Sequence, residues 1–184
     1  MNKGYKIRKI KPEDVLALHN VYFLTWLDTY PNKEFNITVE DIVYKYEQRL
    51  KPEKIAESKE RILNTKENEL KLLLEYKGKV VALCNVVKYQ KYNQLQAIYI
   101  LPEYQGLGMG ISLWQEAEKF LDSNKKTIVH VASYNNKAIG FYKKLGFKST
   151  GKIFKDERFK MRNGAMFPEL EMIKLASKKN SGNI

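Results

Sequence analysis

The chain has 184 residues, 43% hydrophobic and 12% aromatic, enough for one sizeable core and of a length that suits one domain. Its formal charge of +12 favours phosphate-bearing or acidic partners and works against a polycation; the surplus lies largely in Lys143 to Ile184, with eleven Lys or Arg against four Asp or Glu. No apolar run of about eighteen residues and no apolar stretch in the opening MNKGYKIRKI points to a membrane or secretory route, no His/Cys framework calls for a metal, and one cysteine excludes an internal disulfide. A cytoplasmic protein is therefore expected, with one domain over residues 1–176 and a basic, frayed tail over 177–184.

The elements alternate along the chain. YKIRKI, Tyr5 to Ile10, has strand alternation, and Pro12, Glu13 and Asp14 open a helix carrying Val15, Leu18, Val21, Tyr22 and Thr25 and ending near Tyr30-Pro31. TVED at Thr38 reads as an N-cap followed by acidic residues, starting a helix to Leu50, and Pro52 begins a more polar third helix to about Asn64. ELKLLLEY and KVVALCNVVKY form a hairpin around Lys77-Gly78, and Cys84 within the second run is read as a reduced core residue. LQAIYIL is a further strand, Ser112 to Leu121 a helix with Leu113, Trp114, Ala117, Phe120 and Leu121 on one face, and TIVHVAS a buried strand. NNKAIGFYKKLG is a capped helix, and FKSTGKIF and ELEMIKLA close the sheet.

Two segments carry the chemistry. LPEYQGLGMG, Leu101 to Gly110, sits between a strand and a helix, where unpaired backbone N–H groups and the helix dipole make a ready anion site and glycines admit a phosphate to the backbone. No Lys-Ser/Thr pair follows, so it is no Walker loop; G-x-G-x-x-G does not fit either, and a ligand-free tight turn stays open on the glycines alone. In NNKAIGFYKKLGF, Asn135 reads as N-cap and Gly146 as a left-handed C′ residue. By spacing alone Tyr142 is an amphipathic core tyrosine with its hydroxyl at the edge.

Taken together, Q-x-x-G-x-G at Gln105, Gly108 and Gly110 and N-x-x-A-x-x-F-Y-x-K-x-G-F at Asn135 to Phe147 resemble the GNAT superfamily of acetyl-CoA-dependent N-acetyltransferases. The resemblance implies an α/β fold with a mixed, mostly antiparallel sheet of six or seven strands flanked by helices, in which two neighbouring strands splay apart to hold acetyl-CoA. It implies no metal. The amides of Gln105, Gly106, Leu107, Gly108, Met109, Gly110 and Ile111 would cradle the pyrophosphate. Asn135 and the strand at Ile98, Tyr99 and Ile100 would hold the pantetheine arm, and an N–H near Ile100 would polarise the thioester carbonyl. Tyr142 would face the sulfur. With a tyrosine pKa near 10 against about 8.5 for a thiol, complete proton transfer costs about 2 kcal/mol, so a strong hydrogen bond to the leaving thiolate is the economical role.

The acceptor would be a primary amine, on a small molecule, a polyamine or a peptide, and must lose a proton before attack. Similar enzymes often place a Glu on the strand before the glycine loop; here Gln94 and Gln96 stand there, and an amide is no base. His130 and Glu103 are candidates, and a water relay is preferred. Trp26 and Tyr30, at i and i+4, would wall the acceptor site, although aromatics at that spacing serve equally as core. A non-catalytic acyl-CoA sensor is the alternative reading. Nucleic-acid binding rests on charge alone, without a recognisable motif. A C-terminal strand left exposed would be compatible with a homodimer.

Overall fold

The computed structural model describes residues 4–176, so the basic tail expected over 177–184 lies outside the described residues. The elements follow in the order β1 Tyr5–Lys9, α1 Val15–Thr29, α2 Val39–Arg49, α3 Pro52–Leu63, β2 Glu69–Tyr76, β3 Lys79–Lys88, β4 Asn93–Ile100, α4 Met109–Glu118, β5 Thr127–Ala132, α5 Asn136–Lys144, β6 Lys148–Lys155 and β7 Pro168–Lys174. Pro12–Asp14 forms a single 3-10 turn before α1, because the carboxylate of Asp14 folds back to accept the Lys11 N–H at 2.7 Å. At Thr38 the capping box forms as its residues dictate: the hydroxyl accepts from the Asp41 N–H, and the Asp41 carboxylate accepts from the Thr38 N–H. Helix α4 begins inside the glycine segment at Met109 and stops at Glu118, earlier at both ends than apolar periodicity suggests.

Seven strands form one sheet in the order β1-β2-β3-β4-β5-β7-β6. All neighbours are antiparallel except β4 and β5. The last strand inserts between β5 and β6, so β6 becomes an edge, and Ile153 upon it is exposed. Among the described residues no helix is long and apolar enough to cross a membrane.

Helices cover both faces of the sheet, giving two apolar clusters. The larger centres on Leu73, Leu74, Val81, Leu83, Leu113, Trp114, Phe147 and Met172, all nearly inaccessible; each such side chain contributes roughly 1.5–3 kcal/mol by leaving water. Cys84 is fully buried within it, and burial pushes its thiol pKa up, which leaves the sulfur inert. The second cluster packs Trp26, Tyr30, Ile37 and Ile42 against Ala132, Met161 and Phe167 on the α1 face.

The feature that positions the site is a break in the sheet. Strand β4 carries a bulge: Asn85 faces Ala97 and Val86 faces Leu95, so Gln96 is the extra residue and β4 bends beyond it. Its parallel pairing with β5 then covers only Asn93–Leu95 against Thr127–Val129. Past that point the two strands part.

Candidate functional site

A cavity of about 850 Å³ occupies the space between the parted strands. Ile98, Tyr99 and Ile100 of β4 line one side, Val129 to Ala132 of β5 the other, and Gln105, Gly106, Gly108, Gly110 and Ile111 close one end. Gly106 and Gly108 have φ of +80° and +77°, left-handed conformations that side chains rarely adopt, and a Cβ built on either meets nothing within 4 Å. The space above these two glycines is open, so their backbone is accessible from the cavity. Gly110 differs. A Cβ there would lie 3.0 Å from Ile100 Cδ1 and 3.3 Å from Phe141 Cε2, so its role is close packing of α4 on β4 and α5.

Other members of the segment divide by direction. The Gln105 N–H is already donated to the Pro102 carbonyl at 3.2 Å, which removes it from the set of amides free to hold an anion. Its side chain instead donates to the Ile100 carbonyl at 2.9 Å, tying the loop to the end of β4. Leu107 points outward, 62% exposed, and Met109 is buried in the core; neither side chain lines the cavity.

Helix α5 forms the facing wall. The Asn135 carboxamide oxygen accepts from the Ala138 N–H at 3.0 Å, fixing the start of the helix beside the cavity, while its NH₂ is left to donate. At the other end the Phe147 N–H reaches the Tyr142 carbonyl and the Gly146 N–H reaches Lys143, with Gly146 at φ +91°: a Schellman closure. That closure anchors the turn that presents Tyr142. The ring is 7% exposed, packs edge-on to Phe147 at 5.8 Å and lines the cavity, and burial pushes its hydroxyl pKa well above the ordinary value. The hydroxyl therefore stays protonated, able to donate and unable to act as a base at neutral pH.

A second cavity, a cleft of about 370 Å³, lies on the α1 face of the sheet and meets the first at Gln96, Ala97, Tyr99 and His130, which line both. Trp26 lines the cleft and Tyr30 the larger cavity; their rings meet edge to face at 4.8 Å, so the pair stands across the junction. The Tyr30 and Tyr99 hydroxyls lie 3.3 Å apart. Glu103 is exposed and lines neither cavity, which removes it as a candidate base. His130 does stand at the junction, its ring against Phe154 and its Nε2 3.6 Å from the Glu171 carboxylate; burial lowers its pKa and keeps it neutral.

Glu169 is the residue that sequence reasoning missed. It is 6% exposed, lines the cleft, and its Oε2 has no hydrogen-bonding partner among the described residues. Desolvation, with Asp156 adding to it and Arg158 opposing, pushes its carboxyl up to about 7. It faces Ala132 across the β5–β7 ladder and lies on the same face as His130. The only signal for it is the second helical layer: strand alternation in PELEMIK assigns both glutamates to a solvent face, but that face is covered by α1 and the segment before β7. Among the described residues no cluster of three His, Cys, Asp or Glu side chains could hold a metal ion.

The model of the acetyltransferase (GNAT) family matches residues 18–147, about seven-tenths of the chain. The chain belongs to that family. Its GNAT relatives include an uncharacterized N-acetyltransferase of Chlorobaculum tepidum, 30% identical over 44% of this chain and 50% of that one. Another is the peptidyl-lysine N-acetyltransferase YjaB of Escherichia coli, 36% identical over 34% of this chain and 41% of that one. The matched region thus spans half or less of these relatives. Among solved structures, the PaiA N-acetyltransferase of Thermoplasma acidophilum in complex with coenzyme A superposes with a TM-score of 0.68 at 24% identity, covering 93% of this chain and 98% of that one. The ribosomal-protein-S18-alanine N-acetyltransferase of E. coli does so at 0.61 and 19%, covering 98% and 99%. At these identities the likeness shows that the GNAT fold is shared.

Proposed function

We propose that this protein transfers an acetyl group from acetyl-CoA to a primary amine, both substrates being bound at once. The observation that carries the reading is the break between β4 and β5: a cavity with a glycine-opened helix terminus at one end and Tyr142 on its wall adjoins, at Tyr99 and His130, a separate cleft holding a carboxyl unpartnered among the described residues. Acetyl-CoA would lie in the larger cavity with its pyrophosphate over Gly106 and Gly108 at the start of α4, where unpaired N–H groups and the helix dipole favour anions. Its pantetheine arm would follow Ile98 to Ile100 as a further edge of the parted sheet, meeting the Asn135 NH₂ on the way.

The amine enters from the cleft. Glu169, ionised above its raised pKa, takes a proton from the ammonium; the amine nitrogen attacks the thioester carbon, the new C–N bond forms and the C–S bond breaks. An N–H near Ile100 stabilises the oxyanion, and Tyr142 donates a hydrogen bond to the departing thiolate, which takes the second proton released by the acylated nitrogen and leaves as CoA. This carboxyl would stand in for the glutamate absent from β4, which supports a catalytic reading over a non-catalytic one. The likeness to a peptidyl-lysine enzyme supports an amine acceptor, and the exposed edge at β6 supports pairing with a second copy.

Hydrogen exchange with and without CoA tests the placement. Protection confined to residues 98–100, 106–112 and the start of α5 is expected; protection elsewhere, or none at saturating CoA, overturns it.

A further inference from the structure

The acceptor cleft is strongly one-sided in charge. Arg49, Arg61, Lys71 and Arg158 line it against Glu169 as the single carboxylate. Of the five arginines, Arg8, Arg158 and Arg162 each have a carboxylate within ion-pairing distance. Among the described residues Arg49 and Arg61 have none. Arg49 is held by aromatic faces, its guanidinium 5.1 Å from the Tyr22 ring centre and 5.6 Å from that of Trp26. Such a setting orients the fork of donors without occupying them.

These two guanidiniums converge on one place. Both line the cleft with His19 and depress its pKa, second to its burial, which keeps the imidazole neutral. His19 is 7% exposed, lines the cleft, and its Nδ1 has no partner. Ser58 Oγ accepts from Arg61 Nη2 at 3.2 Å and stands 3.4 Å from His19 Nε2. Lys71 adds charge from β2, though it already pairs with Glu69 at 3.3 Å. Arg49 is half-buried and Arg61 exposed, so both guanidiniums are accessible to a ligand oxyanion, the counter-ion that no described side chain supplies.

We infer that the acceptor is a small primary amine that also carries an oxyanion, a carboxylate or a phosphate, held by Arg49 and Arg61 beside His19. This rests on the acetyltransferase reading and sets its substrate class. The amine end reaches Tyr99 and Glu169 at the gap, and the anionic end lies toward α2 and α3. The same positive field disfavours the ammonium form of the amine, easing the deprotonation that must precede attack. A polyamine would place its second ammonium among these cations, in line with the repulsion that the overall charge of +12 already predicts.

The test measures acetyl-CoA-dependent thiol release with matched acceptors: 4-aminobutanoate, 3-aminopropyl phosphate, 1,4-diaminobutane and a lysine peptide with blocked ends. The proposal expects kcat/KM for one oxyanion-bearing amine at least about tenfold above the diamine and the peptide, and the ratio of the two anionic arms separates carboxylate from phosphate. In Arg61→Gln and Arg49→Gln, KM for the anionic acceptor should rise about 10- to 100-fold, as loss of a charge-assisted hydrogen bond implies, whereas KM for the diamine should fall as the repulsion is relieved. In the intact protein, where no variant has to fold, the anionic amine should raise the titration midpoint of His19 by NMR and the diamine should not. A preference for the diamine or the peptide, or a KM unmoved by both substitutions, overturns the inference and leaves the transferase reading standing. Absence of acetyl-CoA binding, or of turnover with any amine, overturns both.

Discussion

Replacing Glu169 by glutamine should make the protein more stable and less active at the same time. A carboxyl raised from 4.5 to about 7 keeps its proton in the folded chain over a window where the unfolded chain has lost it, so stability falls as pH rises through that window. At 1.36 kcal/mol per tenfold change in proton affinity the ceiling is about 3 kcal/mol, and screening by water in the open cleft lowers the expectation to about 2 kcal/mol. Glutamine is isosteric with the protonated acid and does not ionise. Glu169→Gln should therefore match the wild type near pH 4.5 and melt about 4–8 °C higher at pH 8. Activity should move the other way, with kcat/KM at pH 7.5 falling about 10²- to 10⁴-fold and the rising limb with an apparent pKa near 7 disappearing. Thermal unfolding at pH 4.5 and 8 and a pH–rate profile read both. A variant that loses stability at pH 8 would show a carboxylate held by partners, and one that keeps its turnover would move the base to His130.

Tyr142→Phe should lower kcat about 10²-fold while acetyl-CoA affinity stays within about threefold, since only the hydrogen bond to the thiolate is removed; calorimetry and steady-state kinetics separate the two, and equal losses would make Tyr142 a packing residue. Gly108→Val, at φ +77° with open space above it, should cost about 1–2 kcal/mol in backbone strain and weaken CoA binding at least tenfold; unchanged affinity would remove the phosphate from this loop. Gly110→Ala should lower stability by about 1 kcal/mol, because Ile100 must yield to the new methyl group, whereas a gain in melting temperature would show the α4–β4 contact to be slack.

The glycine segment and the α5 helix are legible in sequence because local chemistry fixes them: left-handed glycines at 106, 108 and 146, a side-chain cap at Asn135 and apolar spacing around Tyr142 all act within a few residues. The cleft is not legible in this way. Gln96 becomes a bulge only through the pairing of β4 with β3, and that bulge is what ends the contact with β5. Arg49 closes a polar helix and reads as a cation complementing its dipole, until α1 brings Tyr22 and Trp26 beneath it. Glu169 sits in an alternating strand where a glutamate ordinarily meets water. Insertion of β7 between β5 and β6, with a helical layer above, reverses that expectation.

Acetyl-CoA-dependent release of free thiol across small amines and peptides, with CoA binding followed by calorimetry on the same sample, tests the central claim most directly. The account predicts micromolar-range CoA binding and thiol release that requires an amine and saturates in both substrates. Binding of CoA without amine-dependent release under any of these conditions would contradict it.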